Sequence, residues 1–345
     1  MRGTIAIEEA IIDPTGVASL SQWHNLLAPA LSAGTSTETV TLTAHEKRLL
    51  DIHDLRLKAM DEHRVEYMLL SLTSPGVQGE PNPEKAEKMA TVANDYLAKE
   101  VKKNTKRFGA LAALSMHDPS QAAQELRRCV KELGMFGGLV NDYQSTGEDG
   151  GGKDYFDTDK YDPFWAMVQE LDVPIYFHPK YAIQQDLEPG TKYGDRKHLL
   201  GAGVQFHLDL SFHLYAVCSS GVFDRFPRVQ IVAGHLGENI PFNLWRACHW
   251  YNHPNKKGSR PSKEDYKYYF THNVHITTSG NFSTPGLKFC IQELGVERCL
   301  FAIDTPYENV KEGQDWWKTV DLPADQKGMV ARTNAIRLYK LPLEE

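Results

Sequence analysis

Four segments of the 345-residue chain end in side chains that could bind a cation or move a proton. Glu8 ends the apolar stretch IAIE, His178 ends VPIYFH, and Asp304 ends CLFAID. One imidazole with two carboxylates can bind a divalent cation and leave positions open for water or substrate. In the fourth segment, GHLGE, His235 adds a titratable group that Glu238 could orient. The pattern predicts a metal centre with acid–base chemistry.

Each of these residues also has a simpler interpretation. Glu8 could be a surface charge or a cap, and His178 a hydrogen-bonded structural histidine. Asp304, which precedes Thr-Pro, could form a turn, and Glu238 could complement a helix N-terminus. Glu9 points to the opposite face of a strand from Glu8, so we expect it to be structural or to support the ligands. The chemical interpretation therefore depends on one fold bringing the four residues together.

Eight apolar runs bounded by turn residues recur along the chain and alternate with helical patterns. Most are continuous rather than alternating, as expected for strands covered on both faces of a parallel sheet. We therefore predict a (β/α)8 barrel of the TIM type, occupying residues 1–345 as a single domain with a C-terminal helical extension. A doubly wound open sheet would give a similar pattern. The predicted strands are residues 5–8, 67–72, 108–114, 137–141, 173–178, 229–235, 274–279 and 299–304.

The C-terminal ends of these strands collect the polar residues. In a barrel that end carries the active site, so we expect Ser71 and Asn141 to line the pocket beside the four residues above. Long connections at residues 13–44, 142–160 and 179–200 follow the same ends and should form its walls.

Composition excludes several classes of protein. The net charge is −7 with no long basic run, which argues against nucleic acid as a partner. Five cysteines without a CxxC pair argue against a disulfide framework or a cysteine-zinc site. No apolar run is long enough for a membrane helix, and no signal-peptide core is evident, so we expect a cytoplasmic protein.

The motifs GTIAIEEA, FGALAALSMHDP, VPIYFHP, GVFDRFPRVQIVAGHLGENIPFNLWR, ITTSGNFSTPGLKFC and FAIDTPYEN resemble the aromatic-acid decarboxylase branch of the amidohydrolase superfamily. That branch is related to aminocarboxymuconate-semialdehyde decarboxylase. Within it, the chain is most similar to the fungal 2,3-dihydroxybenzoate decarboxylases, with the salicylate decarboxylases close by. The similarity runs from residue 3 to about residue 341. It implies a metal-dependent, non-oxidative decarboxylase on an amidohydrolase-like barrel, assembled as a homodimer or homotetramer.

The resemblance also implies roles for individual residues. The metal ligands of the family fall on Glu8, His178 and Asp304, and its HxGE motif falls on His235 and Glu238. Arg246 matches an arginine associated with substrate binding. Many relatives have a histidine where this chain has Ala10, so an oxygen-rich site remains, and Zn²⁺, Mg²⁺ and Mn²⁺ are all suitable.

The substrate implied is a benzoate with a hydroxyl ortho to its carboxylate, most simply 2,3-dihydroxybenzoate, which would give catechol and CO₂. Salicylate or a related hydroxybenzoate is the alternative. We expect the substrate oxygens to chelate the metal, Asp304 to protonate the ring carbon, and the reaction to reverse at high bicarbonate. Candidate pocket residues are Trp23, His24 and Phe206.

Two other functions remain open at this point. A barrel with the same residues could hydrolyse an amide or lactone with a metal-bound water, using Asp304 as base. Alternatively, the chain could be a non-catalytic binding or scaffold protein, to which Ala10 gives slight support. Substrate turnover and metal content separate these alternatives.

Overall fold

The computed structural model of the protein describes residues 3–16 and 43–345. Helices and strands alternate along most of this length. The strands are β1 (Thr4–Ile11), β2 (Val65–Leu72), β3 (Phe108–Ala110), β4 (Ala112–Ala113), β5 (Gly138–Asn141), β6 (Gln144–Thr146), β7 (Gly152–Asp154), β8 (Ile175–His178), β9 (Ile231–Ala233), β10 (Val274–Thr277) and β11 (Cys299–Leu300). The helices are α1 (Ala44–Leu50), α2 (Leu55–His63), α3 (Pro83–Lys102), α4 (Pro119–Lys131), α5 (Asp162–Leu171), α6 (Gln205–Ser219), α7 (Val222–Arg225), α8 (His235–Glu238), α9 (Ile240–Tyr251), α10 (Pro254–Lys257), α11 (Tyr266–His272), α12 (Thr284–Leu294), α13 (Val310–Thr319), α14 (Ala324–Gly328) and α15 (Asn334–Tyr339).

The parallel strands form a (β/α)8 barrel. β1, β2 and β3 pair in that order, and β4, β5, β8, β9, β10 and β11 pair in chain order. β3 and β4 are two pieces of one strand on either side of Leu111, so the two sheets are continuous through it. All eight predicted strands are confirmed, with shorter bounds at several ends.

The first and eighth strands meet through main-chain and side-chain hydrogen bonds. The Ala10 N–H donates to the Thr305 carbonyl oxygen at 2.7 Å. The buried Glu9 carboxylate accepts the N–H groups of Ile303 and Thr305, each at 3.1 Å. Arg56, also buried, donates to the Ala10 carbonyl oxygen at 2.6 Å and supports the same junction. Glu9 is therefore structural, as expected.

Alternate residues of the strands form two apolar layers. One set, including Ile5, Leu69 and Tyr176, fills the barrel interior and packs against Ile336 of α15. The other set, including Met68, faces outward into the layer that the helices cover. The C-terminal segment thus belongs to the same core as the strands.

A β-bulge in β1 separates the directions of Glu8 and Glu9. Ala6 pairs with Met68 and Glu9 pairs with Leu70, so Ile7 and Glu8 together oppose the single residue between those two partners. A bulge of this kind re-aims a side chain. Glu8 consequently points into the barrel together with the interior layer, and Glu9 points to the β11 side.

Helices occupy most of the connections between the barrel strands, as the alternation of apolar runs with helical patterns predicts. The segment at residues 45–64 forms two helices, α1 and α2, because the Asp51 carboxylate accepts the N–H groups of Asp54 and Leu55 and ends the first helix. The segment 142–160 contains the antiparallel hairpin β6–β7 rather than only irregular loop. Among residues 3–16 and 43–345, no helix has the length and hydropathy to cross a membrane.

Candidate metal centre and active-site cavity

Glu8 presents one satisfied and one unsatisfied carboxylate oxygen. The side chain is buried. Its Oε2 accepts a short hydrogen bond from the Tyr176 hydroxyl and a longer one, 3.4 Å, from Thr277 Oγ1. Its Oε1 is buried and accepts no hydrogen bond from any described residue. A buried carboxylate oxygen without a donor is costly unless a cation lies beside it.

Two imidazoles face that oxygen. His178 Nε2 lies 3.4 Å and His235 Nε2 lies 3.6 Å from Glu8 Oε1. In each ring the other nitrogen is occupied, because Nδ1 of His178 donates to the Pro179 carbonyl oxygen at 2.7 Å and Nδ1 of His235 donates to Glu238 Oε1 at 2.7 Å. Both rings therefore carry their proton on Nδ1 and offer Nε2 as a ligand atom. Metal-binding histidines are usually held in this way, by a hydrogen bond from the nitrogen that does not bind the metal.

The His235–Glu238 pair is held by an unusual turn. Residues 235–239 all have positive φ, from 53° to 76°, so the segment called α8 is a left-handed turn. Residues other than glycine are sterically strained at such backbone angles, and they are found there mostly where function requires the geometry. The turn folds Glu238 back under His235, and Asn281 Nδ2 donates to the His235 carbonyl oxygen at 3.3 Å.

Asp304 completes a cluster with Glu8 and His235. One ligand atom from each of these three residues lies within 4.8 Å of the other two. Asp304 also has a positive φ, 80°, which turns its carboxylate towards the cavity after the eighth strand. The three-residue cluster contains His235, whereas we predicted His178 as the nitrogen ligand; His178 adds its Nε2 beside Glu8.

The protonation states reflect this crowding. Burial, and then the Glu8 carboxylate, raise the pKa of Asp304 well above its ordinary value, and His235 partly offsets them. Burial lowers the pKa of His178. Burial would also lower the pKa of His235, but Glu238 and Glu8 outweigh it and raise that pKa to about 10. The cluster thus attracts positive charge strongly.

These residues fit one divalent cation. The carboxylates of Glu8 and Asp304 and the imidazole of His235 form the cluster, and His178 Nε2 lies 3.4 Å from the unpartnered Oε1 of Glu8. Mixed nitrogen and oxygen ligands suit Mn²⁺, Zn²⁺ or Mg²⁺. The cation would give Oε1 of Glu8 a partner, and it would also offset the repulsion between the carboxylates of Glu8 and Asp304.

A cavity of about 500 Å³ opens beside the cluster. Its volume suits a small aromatic molecule. Aromatic and polar side chains contribute most of its wall. Among the described residues, the lining consists of Ser74, His178, Tyr181, Ala202, Gly203, Phe206, His207, His235, Glu238, Asn239, Gly280, Asn281, Asp304, Tyr307 and Glu308.

The structure places only some of the predicted pocket residues in the cavity wall. Phe206 lines the cavity. Ser71 and Asn141 are buried but are not among its described lining residues. Asn141 Nδ2 donates to the Pro75 carbonyl oxygen at 3.1 Å, because the loop after β2 covers this strand end. Trp23 and His24 lie outside the described residues.

Arg246 does not reach the cavity of its own chain. Ile240 and Leu244 form the buried face of α9, and Arg246, two residues after Leu244, projects from the exposed face. Residues two apart on a helix do not share a face. We predicted that Arg246 contacts substrate, but within one chain it is not among the described residues that line the cavity.

Ten of the described lining residues were not predicted, among them Ser74, Tyr181, His207 and Tyr307. Ser74 and Tyr307 follow strands, and Tyr181 and His207 come from the long segment after β8. Tyr181 is three residues after His178, so its proximity to a predicted ligand was a usable signal. The position of His207 on α6 depends on loop geometry that no local pattern encodes.

Comparison with known proteins gives consistent matches over nearly the whole chain. The family model described as amidohydrolase matches residues 24–341. The gamma-resorcylate decarboxylase of Rhizobium sp. (strain MTP-10005) is 43% identical over 350 residues, which cover 99% of each chain. A crystal structure of 2,6-dihydroxybenzoate decarboxylase complexed with 2,6-dihydroxybenzoate is 39% identical with a TM-score of 0.87, covering 99% of each chain. A dihydroxybenzoic acid decarboxylase from Polaromonas sp. JS666, with bound manganese and the inhibitor 2-nitroresorcinol, is 36% identical with a TM-score of 0.88, covering 100% of this chain and 98% of the other.

Proposed function

Since the chain belongs to the amidohydrolase family, in its aromatic-acid decarboxylase branch, we propose that it is a metal-dependent, non-oxidative decarboxylase of ortho-hydroxybenzoic acids. The observation that carries the proposal is the cluster of Glu8, His235 and Asp304, with an unpartnered Glu8 oxygen, beside a cavity of about 500 Å³ that His235 and Asp304 line.

A divalent cation held by Glu8, His235 and Asp304 would supply Lewis acidity and a fixed positive charge for substrate oxygens. The chain's own residues supply the proton. Direct loss of CO₂ would leave an aryl carbanion, so protonation of the carboxylate-bearing ring carbon must come first. Asp304 suits this role because its carboxyl lines the cavity beside the cluster, and because burial raises its pKa, which favours the protonated form.

The remaining steps balance without an oxidant. The ring carbon gains a proton from Asp304, and the electron pair of an ortho oxygen stabilises the dearomatised intermediate. The bond between the ring carbon and the carboxylate then breaks and CO₂ leaves. The electron pair of that bond stays with the ring and restores its aromaticity. Asp304, left as a carboxylate, takes a proton from water. In this scheme Glu238 accepts a hydrogen bond from Nδ1 of His235 and fixes its tautomer, so that Nε2 is directed towards the site that would hold the cation.

The preferred substrate is a separate part of the proposal. The motifs favour 2,3-dihydroxybenzoate or salicylate, whereas the names of the relatives specify gamma-resorcylate, which is 2,6-dihydroxybenzoate. All three carry the ortho hydroxyl that the mechanism needs. We propose a hydroxybenzoate of this class, with 2,3- and 2,6-dihydroxybenzoate as the two leading candidates.

Turnover of a substrate panel tests the proposal. Protein loaded with Mn²⁺ should release CO₂ from at least one of 2,3-dihydroxybenzoate, 2,6-dihydroxybenzoate and salicylate, and Asp304→Asn protein should not. Opening of lactones or amides, with all three acids left intact, would instead establish the hydrolase. A metal-free protein inert towards every substrate would identify a scaffold.

We also propose self-association as a homodimer or homotetramer. Large apolar side chains are exposed on α6 and α9, including Phe212 at 70%, Phe242 at 83% and Trp245 at 74%. Exposed apolar surface of this size supports a protein partner. Light scattering should show an oligomer that Phe242→Asp weakens; a wild-type monomer would refute this assembly.

A further inference from the structure

Tyr181 contributes a hydroxyl with no protein partner to the cavity wall. The residue lines the cavity together with Asp304. Its hydroxyl makes no hydrogen bond with any described residue and is not sealed within the protein. By contrast, the hydroxyl of Tyr307, on the same wall, is 2.5 Å from Thr73 Oγ1. Tyr181 therefore retains a donor for a molecule in the cavity.

The main chain beneath Tyr181 is fixed from three sides. The carbonyl oxygens of residues 179, 180 and 181 each accept a hydrogen bond from a side chain of a different segment. The donors, in order, are Ser74 Oγ at 3.0 Å, Gln205 Nε2 at 2.9 Å and Tyr143 Oη at 2.6 Å. A main chain held at three consecutive carbonyls presents its side chains with little freedom.

The Lys180 side chain is directed away from the cavity, and its contacts further fix the main chain of residues 179–181. Lys180 is fully buried, and its Nζ donates to the Gln78 carbonyl oxygen at 2.8 Å and to Ser145 Oγ at 2.7 Å. The same Nζ lies 4.0 Å from the centre of the Tyr143 ring. A buried lysine with several acceptors resists displacement, because moving it would leave its buried amino group without hydrogen-bond partners. Tyr181 follows a residue that cannot easily move.

The Tyr181 ring is also fixed by an aromatic contact. Its centre lies 4.8 Å from that of Phe206, and the planes meet at 70°, an edge-to-face arrangement. Burial, and then the nearby Asp304 carboxylate, raise the pKa of Tyr181, so the hydroxyl stays protonated and can donate. A preorganised donor of this kind favours ligands that offer an oxygen to it.

Resting on the function proposed above, we propose that Tyr181 determines substrate specificity by donating a hydrogen bond to a second ring hydroxyl, so that dihydroxybenzoates are preferred to monohydroxybenzoates. The carboxylate and ortho hydroxyl belong at the Glu8, His235 and Asp304 end of the cavity. The ring that carries them extends towards the wall formed by Tyr181 and Phe206. A further hydroxyl on that ring is the substrate oxygen left for Tyr181.

Tyr181→Phe tests this inference because it removes the hydroxyl and keeps the ring. Activity of the Mn²⁺-loaded protein is measured with 2,3-dihydroxybenzoate, 2,6-dihydroxybenzoate and salicylate. For the better dihydroxy substrate, kcat/KM should fall about three- to tenfold, mainly through KM, while the value for salicylate stays within about twofold. If salicylate is not turned over, its inhibition constant replaces kcat/KM.

Tyr155→Phe is the matched control. Its hydroxyl also has no hydrogen-bond partner among the described residues, but Tyr155 lies outside the cavity lining, so no substrate ratio should change. An equal loss for all substrates in Tyr181→Phe, or no loss, would overturn the inference. Wild-type protein that decarboxylates none of the acids would refute the proposed function instead, and thermal unfolding of each variant verifies the fold.

Discussion

The Oε1 atom of the buried Glu8 side chain lies 3.6 Å from Nε2 of His235, a residue that lines the cavity. A carboxylate oxygen carries no hydrogen, and Nε2 of a neutral His235 carries none either when Nδ1 holds the proton bonded to Glu238. A proton on His235 or a cation must therefore stabilise the contact. The raised pKa of His235, about 10, shows how strongly the site favours positive charge.

Glu8→Gln should abolish tight metal binding. The substitution keeps the size of the side chain but removes one of two carboxylates and places a neutral amide among the ligands. After dialysis, elemental analysis should show about one Mn²⁺ per wild-type chain and little in the variant. Glu308→Gln, a cavity carboxylate outside the cluster, should keep its metal. Stoichiometric metal in Glu8→Gln would show that Glu8 is not a ligand.

Asp304→Asn should lower kcat by roughly a hundred- to ten-thousandfold, the range for loss of a general acid. The amide has no proton of suitable acidity to give to the ring carbon. Circular dichroism should show an unchanged fold, because Asp304 lies at a cavity wall and not in the apolar core. A variant with near wild-type kcat would eliminate Asp304 as the proton donor.

Gly237→Ala should destabilise the fold by about 2–4 kcal/mol, as judged by urea unfolding. Gly237 has φ +76°, and an added Cβ would lie 2.9 Å from Ile276 Cγ2 and 3.1 Å from Pro241 Cδ. Gly134 has nearly the same φ, +73°, with nothing within 4 Å of an added Cβ. Gly134→Ala should therefore cost only about 1 kcal/mol. Equal costs would show that backbone strain alone decides both.

His275 should make stability depend on pH. Burial, and then Arg298, lower its pKa from 6.5 to about 3, and Arg298 Nη1 donates to His275 Nε2 at 3.0 Å. Between pH 6.5 and 3 the unfolded chain binds the extra proton, so this group's contribution to stability is lost as the pH falls through that window. From pH 7.5 to 5.5 the loss should be about 1.4 kcal/mol.

His275→Gln removes that titration. Urea unfolding at pH 7.5 and 5.5 should show a pH effect smaller by about 1.4 kcal/mol than in wild type. The variant will be less stable at both values, since it disturbs a buried contact, but only the difference between the two pH values is diagnostic. Identical pH effects in both proteins would mean that His275 keeps an ordinary pKa.

The barrel could be predicted because its signal is local. Each buried parallel strand is a short apolar run, and the rule that barrel chemistry lies at the C-terminal strand ends led to the prediction of Glu8, His178, His235 and Asp304 as site residues. The family resemblance read from the motifs is also confirmed. These predictions needed only the order of elements, not their detailed geometry.

The details that could not be predicted depend on non-local geometry. The left-handed turn at residues 235–239 brings His235 into the cluster, although its sequence, HLGEN, contains only one glycine. Asn141 is covered because the loop after β2 packs over it. Tyr181 and His207 line the cavity through long connections whose paths no periodicity describes.

The junction of the first and last strands uses Glu9, and the cation site uses Glu8. Because the two carboxylates are consecutive, fraying at that junction would displace Glu8 and dismantle the metal centre while the rest of the barrel stays folded. Loss of activity on warming should therefore precede global melting. Saturation with the metal should slow this inactivation by tethering the first strand to the far side of the barrel.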